Sequence, residues 1–87
     1  MAGERMKEQV CEVLRDHARL PVDPFTLPET ADLYDSGMTS HASVNVMLAL
    51  EEAFDVELPD SMLTRSVFRS IASICSALDR LDRAAAA

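Results

Sequence analysis

The side chains best suited to chemistry lie in one hydroxyl-rich segment, Ser36-Gly37-Met38-Thr39-Ser40. The segment ends a proline-rich stretch and precedes an apolar, helix-like one, so its last hydroxyls should lie at a helix N-terminus. Free backbone N–H groups and the positive end of the helix dipole favour a phosphate ester there. A simpler role is also open, because Thr39 or Ser40 could serve only as the N-cap.

Other common catalytic and metal-binding motifs are missing from the sequence. The 2 glycines form no phosphate-binding loop, and no Gly-x-Ser-x-Gly motif occurs. The 2 histidines and 2 cysteines lack zinc-ligand spacing. Asp32, Asp35 and Gly37 partly match a calcium loop, but Ser43 stands where that loop needs a glutamate. We therefore expect no catalytic site and no metal site.

The composition predicts a small acidic domain and disfavours several kinds of partner. The 87 residues include 15 Asp and Glu against 8 Lys and Arg, for a net charge of −7. This balance argues against binding to nucleic acid or to anionic membranes. No apolar run is long enough for a membrane span, and the first residues form no apolar signal region. We expect one soluble, cytoplasmic, monomeric domain over residues 1–87.

The acidic residues are concentrated in the middle of the chain. Nine of them, and no Lys or Arg, lie between Leu20 and Thr64. A field of one sign usually steers a basic partner towards a protein. A merely solvated surface would give the same pattern, so both interpretations stay open at this point.

Helical periodicity and proline positions predict an all-α fold, a small antiparallel four-helix bundle. The predicted helices cover about 4–20, 40–55, 60–65 and 66–82, and a frayed tail covers 84–87. Three prolines and a glycine predict a long loop over 21–38, between the first two helices. Phe25, Leu27 and Leu33 are expected to anchor this loop to the core. His17 falls on the apolar stripe of the first helix and is expected to be packed.

Longer motifs surround the hydroxyl cluster. They are Leu33-Tyr34-Asp35-Ser36-Gly37-Met38-Thr39-Ser40, Val44 and Leu50-Glu51-Glu52-Ala53-Phe54-Asp55-Val56-Glu57-Leu58-Pro59-Asp60. Together they resemble the acyl and peptidyl carrier protein family, in which Leu-Gly-x-Asp-Ser precedes a helix ending Leu-Glu-Glu-x-Phe and an apolar-Pro-Asp turn. The resemblance covers about residues 30–78 and implies a carrier domain without a catalytic site of its own.

The resemblance implies a serine that is esterified by 4'-phosphopantetheine, an arm derived from coenzyme A. The terminal thiol of this arm carries the cargo as a thioester. Two serines compete for this role. Asp35-Ser36 matches the family's Asp-Ser dipeptide by eye, whereas counting from Phe54 and Gly37 matches Ser40 to the modified serine. Ser40 also lies at the expected helix start, and it is therefore assigned as the attachment site.

The resemblance also implies a docking surface and several partner enzymes. By match to the family's docking helix, the expected contact residues are Thr39, His41, Val44, Asn45, Leu48, Glu51 and Glu52. The implied partners are a phosphopantetheinyl transferase, an enzyme that loads the cargo and a downstream acceptor enzyme.

A narrower resemblance concerns the cargo. Thr39-Ser40, Ala42-Ser43-Val44, Leu48-Ala49-Leu50-Glu51-Glu52-Ala53-Phe54, Met62-Leu63-x-Arg65 and Phe68-x-Ser70-Ile71 are similar to free-standing bacterial aminoacyl carrier proteins. This similarity implies an amino acid cargo, loaded by a ligase related to the catalytic core of seryl-tRNA synthetase. Two alternatives stay open: an acyl carrier of fatty-acid, polyketide or non-ribosomal peptide synthesis, and an acidic module that only binds a partner.

Overall fold

The secondary structure is helical wherever it is regular. The computed structural model describes the backbone of residues 2–86 and the side chains of residues 5–81. The elements are α1 (Ala2–His17), α2 (Ser40–Phe54), α3 (Arg65–Phe68) and α4 (Ile71–Ala86), with 3-10 turns at Pro24–Thr26 and Asp60–Met62. Residues 2–86 contain no strand, and the predicted all-α bundle is confirmed. Within the same range, no helix has the length and apolar character that crossing a bilayer requires.

Helix α1 packs its buried apolar face against the core and ends earlier than predicted. Val10 and Leu14, one helical turn apart, are fully buried. The helix ends at His17 rather than near residue 20, because Arg19 adopts the left-handed conformation with a φ of 55°. His17 is exposed, so the expectation that it is packed was wrong. Ala18, only 1% exposed, takes the buried position at this end instead.

Backbone hydrogen bonds tie the long loop between α1 and α2 to the C-terminal half of the chain. Leu33 is fully buried, and its N–H donates to the carbonyl of Arg69 at 2.7 Å. The N–H of Ala72 donates to the carbonyl of Glu29 at 2.8 Å. Phe25 is not the anchor that the sequence predicted, because its side chain is 46% exposed.

Helix α2 lies in the centre of the sequence and buries one narrow stripe. Ala42, Val46 and Leu50, spaced by four residues, are its buried positions. The helix closes at Asp55, whose left-handed conformation turns the chain so that the N–H of Val56 also donates to the carbonyl of Glu51, at 3.1 Å. Met47, Ala49 and Phe54 pack partly against the core beside this stripe, and exposed positions such as Val44, Leu48 and Glu52 form the outer surface of the helix.

The short helix and the last helix differ from the prediction. Residues 60–65 were expected to form the short helix, but that range holds a 3-10 turn at Asp60–Met62 and, after a break at 63–64, only the first residue of α3. The segment predicted as one helix over 66–82 is two, α3 and α4, interrupted at Arg69 and Ser70. Ser70 breaks it, since its Oγ accepts the N–H of Ser73 at 3.1 Å and so caps α4. Helix α4 continues into the predicted tail over 84–87, and Ala87 lies outside the described residues.

Candidate functional site

Two adjacent hydroxyl residues, Thr39 and Ser40, lie at the N-terminus of α2 and have different roles. Thr39 is the N-cap, and its Oγ1 accepts a hydrogen bond from the N–H of Ala42 at 3.0 Å. Ser40 is the first residue of the helix and is exposed. The first turn carries no acidic side chain. A negatively charged ester on Ser40 would therefore meet the positive end of the helix dipole without a like charge in that turn.

Ser36, the competing serine, is engaged within the loop. Its Oγ donates to the carbonyl of Asp32 at 2.9 Å, and its side chain is half-buried. The turn around it is fixed by Asp32, whose carboxylate accepts the N–H groups of Tyr34 at 2.9 Å and Asp35 at 3.1 Å. These contacts favour Ser40 over Ser36 as the accessible hydroxyl.

The Asp32 carboxylate also ties the loop to the other half of the bundle. Its second oxygen accepts a hydrogen bond from Nε of Arg69 at 3.1 Å. The hydrogen bond from the N–H of Asp35, and then the one from Arg69, lower the pKa of Asp32 below its ordinary value. Three hydrogen-bond donors, two backbone N–H groups and the Arg69 side chain, therefore hold the Asp32 carboxylate and fix the loop that leads to Ser40.

Gly37 provides the backbone conformation with which the loop turns towards α2. Its φ is 121°, a conformation that side chains other than glycine rarely adopt. A Cβ atom added there would lie 2.8 Å from Cδ of Pro21, which is too close for a normal contact. The glycine is therefore needed both for its backbone conformation and for the close approach of Pro21.

A cavity of about 300 Å³ opens beside Ser40, between the loop, α2 and α3. Its lining residues are Tyr34, Ser40, Ser43, Val44, Met47, Leu63, Thr64, Arg65 and Phe68. Most of these side chains are apolar, and Arg65 is the one charged residue among them. The Arg65 guanidinium carbon lies 4.0 Å from the centroid of the Tyr34 ring. This pair could not be predicted from the sequence, because its partners are far apart in the chain.

The expected docking residues surround Ser40 and continue along α2. Thr39, His41, Asn45 and Glu52 are exposed. Val44 and Leu48, one turn apart, are large apolar side chains that are 51% and 54% exposed. Apolar exposure of this kind next to polar residues is typical of a surface that contacts other proteins.

Glu51 makes a contact that the sequence did not predict. Its Oε2 accepts a hydrogen bond from the N–H of Leu58 at 2.8 Å, and the glutamate is half-buried. Leu58 itself is only 6% exposed. Glu51 therefore fastens the segment after α2 to the helix, whereas docking was the role expected of it. Its neighbour Glu52 remains on the surface.

A small helical bundle that presents one exposed serine at a helix start, beside a mostly apolar cavity, has the geometry of an attachment domain. Comparison with known proteins agrees with this class. The family model described as "Phosphopantetheine attachment site" matches residues 4–78. The chain belongs to this family, whose members carry 4'-phosphopantetheine covalently on a serine. The predicted family and cofactor are confirmed.

Individual relatives are carrier proteins. The chain is 45% identical over 69 residues to the aminoacyl carrier protein of Agrobacterium fabrum, covering 79% of this chain and 83% of that one. A chain in the crystal structure of an engineered Bradyrhizobium japonicum glycine:[carrier protein] ligase, complexed with carrier protein from Agrobacterium tumefaciens and AMP, is 41% identical. Its TM-score is 0.81, with 84% of this chain and 97% of that chain covered.

A more distant relative is found with its cargo. It is a chain in the crystal structure of Bradyrhizobium japonicum glycine:[carrier protein] ligase complexed with glycylated carrier protein, 28% identical with a TM-score of 0.63. The match covers 86% of this chain and 95% of that one. The chain is thus a homologue of aminoacyl carrier proteins, as the sequence predicted.

Proposed function

We propose that Ser40 carries 4'-phosphopantetheine and that the thiol of this arm holds an activated amino acid as a thioester. The observation that carries the proposal is the exposed Ser40 hydroxyl at the start of α2, while Ser36 donates to a loop carbonyl. The similarity to aminoacyl carrier proteins supports the cargo class. In this proposal residues 1–87 act as one carrier domain in the cytoplasm, and partner enzymes perform the chemistry.

The residues around Ser40 suit an attachment point. When bound, the arm supplies the thiol, so the chain needs no nucleophile or base of its own. Thr39 caps the helix, which leaves the Ser40 hydroxyl free for the transferase. Gly37 and Asp32 fix the loop that delivers Ser40. The cavity beside Ser40 offers room for the first part of the arm.

The loading partner proposed here is an amino acid:carrier protein ligase related to the seryl-tRNA synthetase core. The structural relatives were solved with glycine:[carrier protein] ligases, which favours a small amino acid such as glycine. The docking face comprises Thr39, His41, Val44, Asn45, Leu48 and Glu52, with the Glu51 carboxylate held behind it by Leu58. The exposed Val44 and Leu48 would supply apolar contact, and Glu52 would guide encounter.

The attachment site is tested by intact-mass measurement after incubation with coenzyme A and a phosphopantetheinyl transferase. Wild type and Ser36→Ala should each gain one arm, and Ser40→Ala should gain none. Ser43→Ala, which removes a nearby hydroxyl that also borders the cavity, is a second control that should gain the arm. A gain that survives in Ser40→Ala would overturn the assignment.

The cargo is tested on the loaded protein. Incubation with the ligase, ATP and glycine or alanine should add one amino acid, in a bond that hydroxylamine cleaves as expected for a thioester. The apolar cavity favours a second candidate, an acyl carrier of fatty-acid, polyketide or non-ribosomal peptide synthesis. Acceptance of malonyl groups without amino acid charging would establish that candidate instead. A module that only binds a partner would function unchanged as Ser40→Ala.

A further inference from the structure

We propose that Arg65, resting on the ring of Tyr34, binds the phosphate of the arm and directs the start of the arm into the neighbouring cavity. This inference rests on the proposed function, because it needs the arm on Ser40. Arg65 would be a positioning residue and would take no part in thioester chemistry. The ligand class is a phosphodiester that is covalently part of the same chain.

The cavity brings the two ends of this contact together. Ser40 and Arg65 line the same space of about 300 Å³, so a phosphate on the Ser40 hydroxyl starts at its wall. None of the lining residues is acidic, and Arg65 therefore meets no carboxylate within the cavity. Arginine binds phosphate oxygens through paired N–H donors, and such charge-assisted hydrogen bonds are the strong ones.

Tyr34 prepares the guanidinium for this role. The distance of 4.0 Å between the Arg65 guanidinium carbon and the ring centroid is that of a close cation–π contact. Arg65 is otherwise exposed, and a free arginine would lose side-chain freedom on binding a phosphate. The ring restrains the side chain before the arm is attached, so less freedom remains to be lost.

Other arginines are placed less well for this contact. Arg19 lines the cavities on the other flank of α2, one of them with Thr39 and His41, and Ser40 does not line either. Arg69 is bound to the carboxylate of Asp32. Arg19 is therefore the sharpest rival, because it is also near the start of α2 and carries the same charge.

The contact is tested by ³¹P NMR of the holo-protein, with the arm on Ser40 verified by intact mass. The same protein unfolded in urea gives the reference shift for a phosphodiester without contacts. Arg65→Gln should move the ³¹P shift of the folded protein at least halfway towards that reference, and Arg19→Gln should leave this shift unchanged. Arg65→Lys should retain part of the difference between the folded shift and the reference. Because an exposed ion pair changes a contact population by up to about fivefold and is screened by salt, 0.5 M NaCl should reduce the wild-type displacement.

A second signal comes from the protein side. The Nε–Hε resonance of Arg65 should shift when the arm is added, and Tyr34→Leu should weaken the effect more than Tyr34→Phe, which keeps a ring. Equal ³¹P shifts in wild type and Arg65→Gln, or a shift that follows Arg19→Gln, would overturn this inference and leave the carrier function standing. Absence of the arm from Ser40 by mass would overturn both proposals. Circular dichroism verifies that each variant is folded.

Discussion

Replacement of Glu51 by alanine should destabilise the fold, although the sequence suggests only a surface role for this residue. The substitution removes the acceptor for the N–H of Leu58, a bond of 2.8 Å in a half-buried position. A hydrogen bond to a charged group contributes about 1.5–3 kcal/mol, and the partial exposure of Glu51 points to the lower end of that range. The Leu58 N–H would also lose its partner at a residue that is only 6% exposed.

A second effect of the substitution acts in the opposite direction. Glu51 lies in the last turn of α2, where a negative charge is unfavourable with the helix dipole. Removing that charge should stabilise the fold by roughly 0.3–1 kcal/mol. Glu52→Ala removes the same charge from the same turn, on an exposed side chain. The difference between the two variants therefore isolates the hydrogen bond to Leu58, because the dipole and net-charge effects are common to both.

The measurement is urea unfolding of the two variants followed by circular dichroism at pH 7. We expect Glu51→Ala to be less stable than Glu52→Ala by about 1.5 kcal/mol, which corresponds to about 6–12 °C in Tm for a domain of this size. Glu51→Gln, which retains an amide oxygen, should lie between them. If the two alanine variants unfold within about 0.5 kcal/mol of each other, the usual range for surface substitutions, the reasoning is refuted.

Three further outcomes follow from the loop and the thiols. Gly37→Ala should cost about 1–3 kcal/mol in urea unfolding, and adding Pro21→Ala should recover only the part due to the 2.8 Å clash. The pKa of Asp32 is lowered on folding, so its carboxylate stabilises the fold above about pH 4, and this stabilisation is lost as the pH falls through the folded pKa. On acidification the urea midpoint of Asp32→Asn should therefore fall less than that of wild type. Burial raises the pKa of Cys75 to about 11, so at pH 8 iodoacetamide should alkylate it roughly a hundredfold more slowly than an ordinary cysteine, measured by intact mass; equal rates would contradict this.

The fold class could be predicted because helical periodicity is local and strong in this chain. Val46 and Leu50, one turn apart, are buried as the spacing requires. The break before α4 could not be predicted, since apolar spacing continues across Ser70. It depends on the Ser70 side chain capping the N–H of Ser73, and on the Arg69 carbonyl accepting a hydrogen bond from the distant Leu33. Long-range partners of this kind are not visible in the local pattern.

The candidate site shows the same division between local and long-range information. The N-cap and the first helical residue follow from local chemistry, and Thr39 and Ser40 occupy these positions. The pair of Arg65 and Tyr34 could not be predicted, because the tertiary fold alone brings a loop residue and a residue of α3 to one cavity. For the same reason the sequence could not indicate that Glu51 is bound to Leu58.

The acidic middle segment is less uniform in space than it is in sequence. Lys7 lies 3.4 Å from the carboxylate of Glu29, and Arg69 lies 3.1 Å from that of Asp32. Both cations come from the flanks of the chain, outside the segment between Leu20 and Thr64. The field that a partner meets is therefore weaker than nine acidic residues would suggest.

In the proposed docking, Glu52 would act on a partner enzyme, because it lies too far along α2 to influence Ser40 itself. Glu52 follows Ser40 by twelve positions, which places it about 18 Å away along the helix at 1.5 Å per residue. The Debye length at physiological ionic strength is about 8 Å, so this charge is largely screened at the serine. If the proposed ligase contacts both Ser40 and Glu52, it covers most of α2, and raising salt from about 0.05 to 0.5 M should slow its encounter with the carrier. Salt-independent charging would instead assign docking to the apolar contacts of Val44 and Leu48.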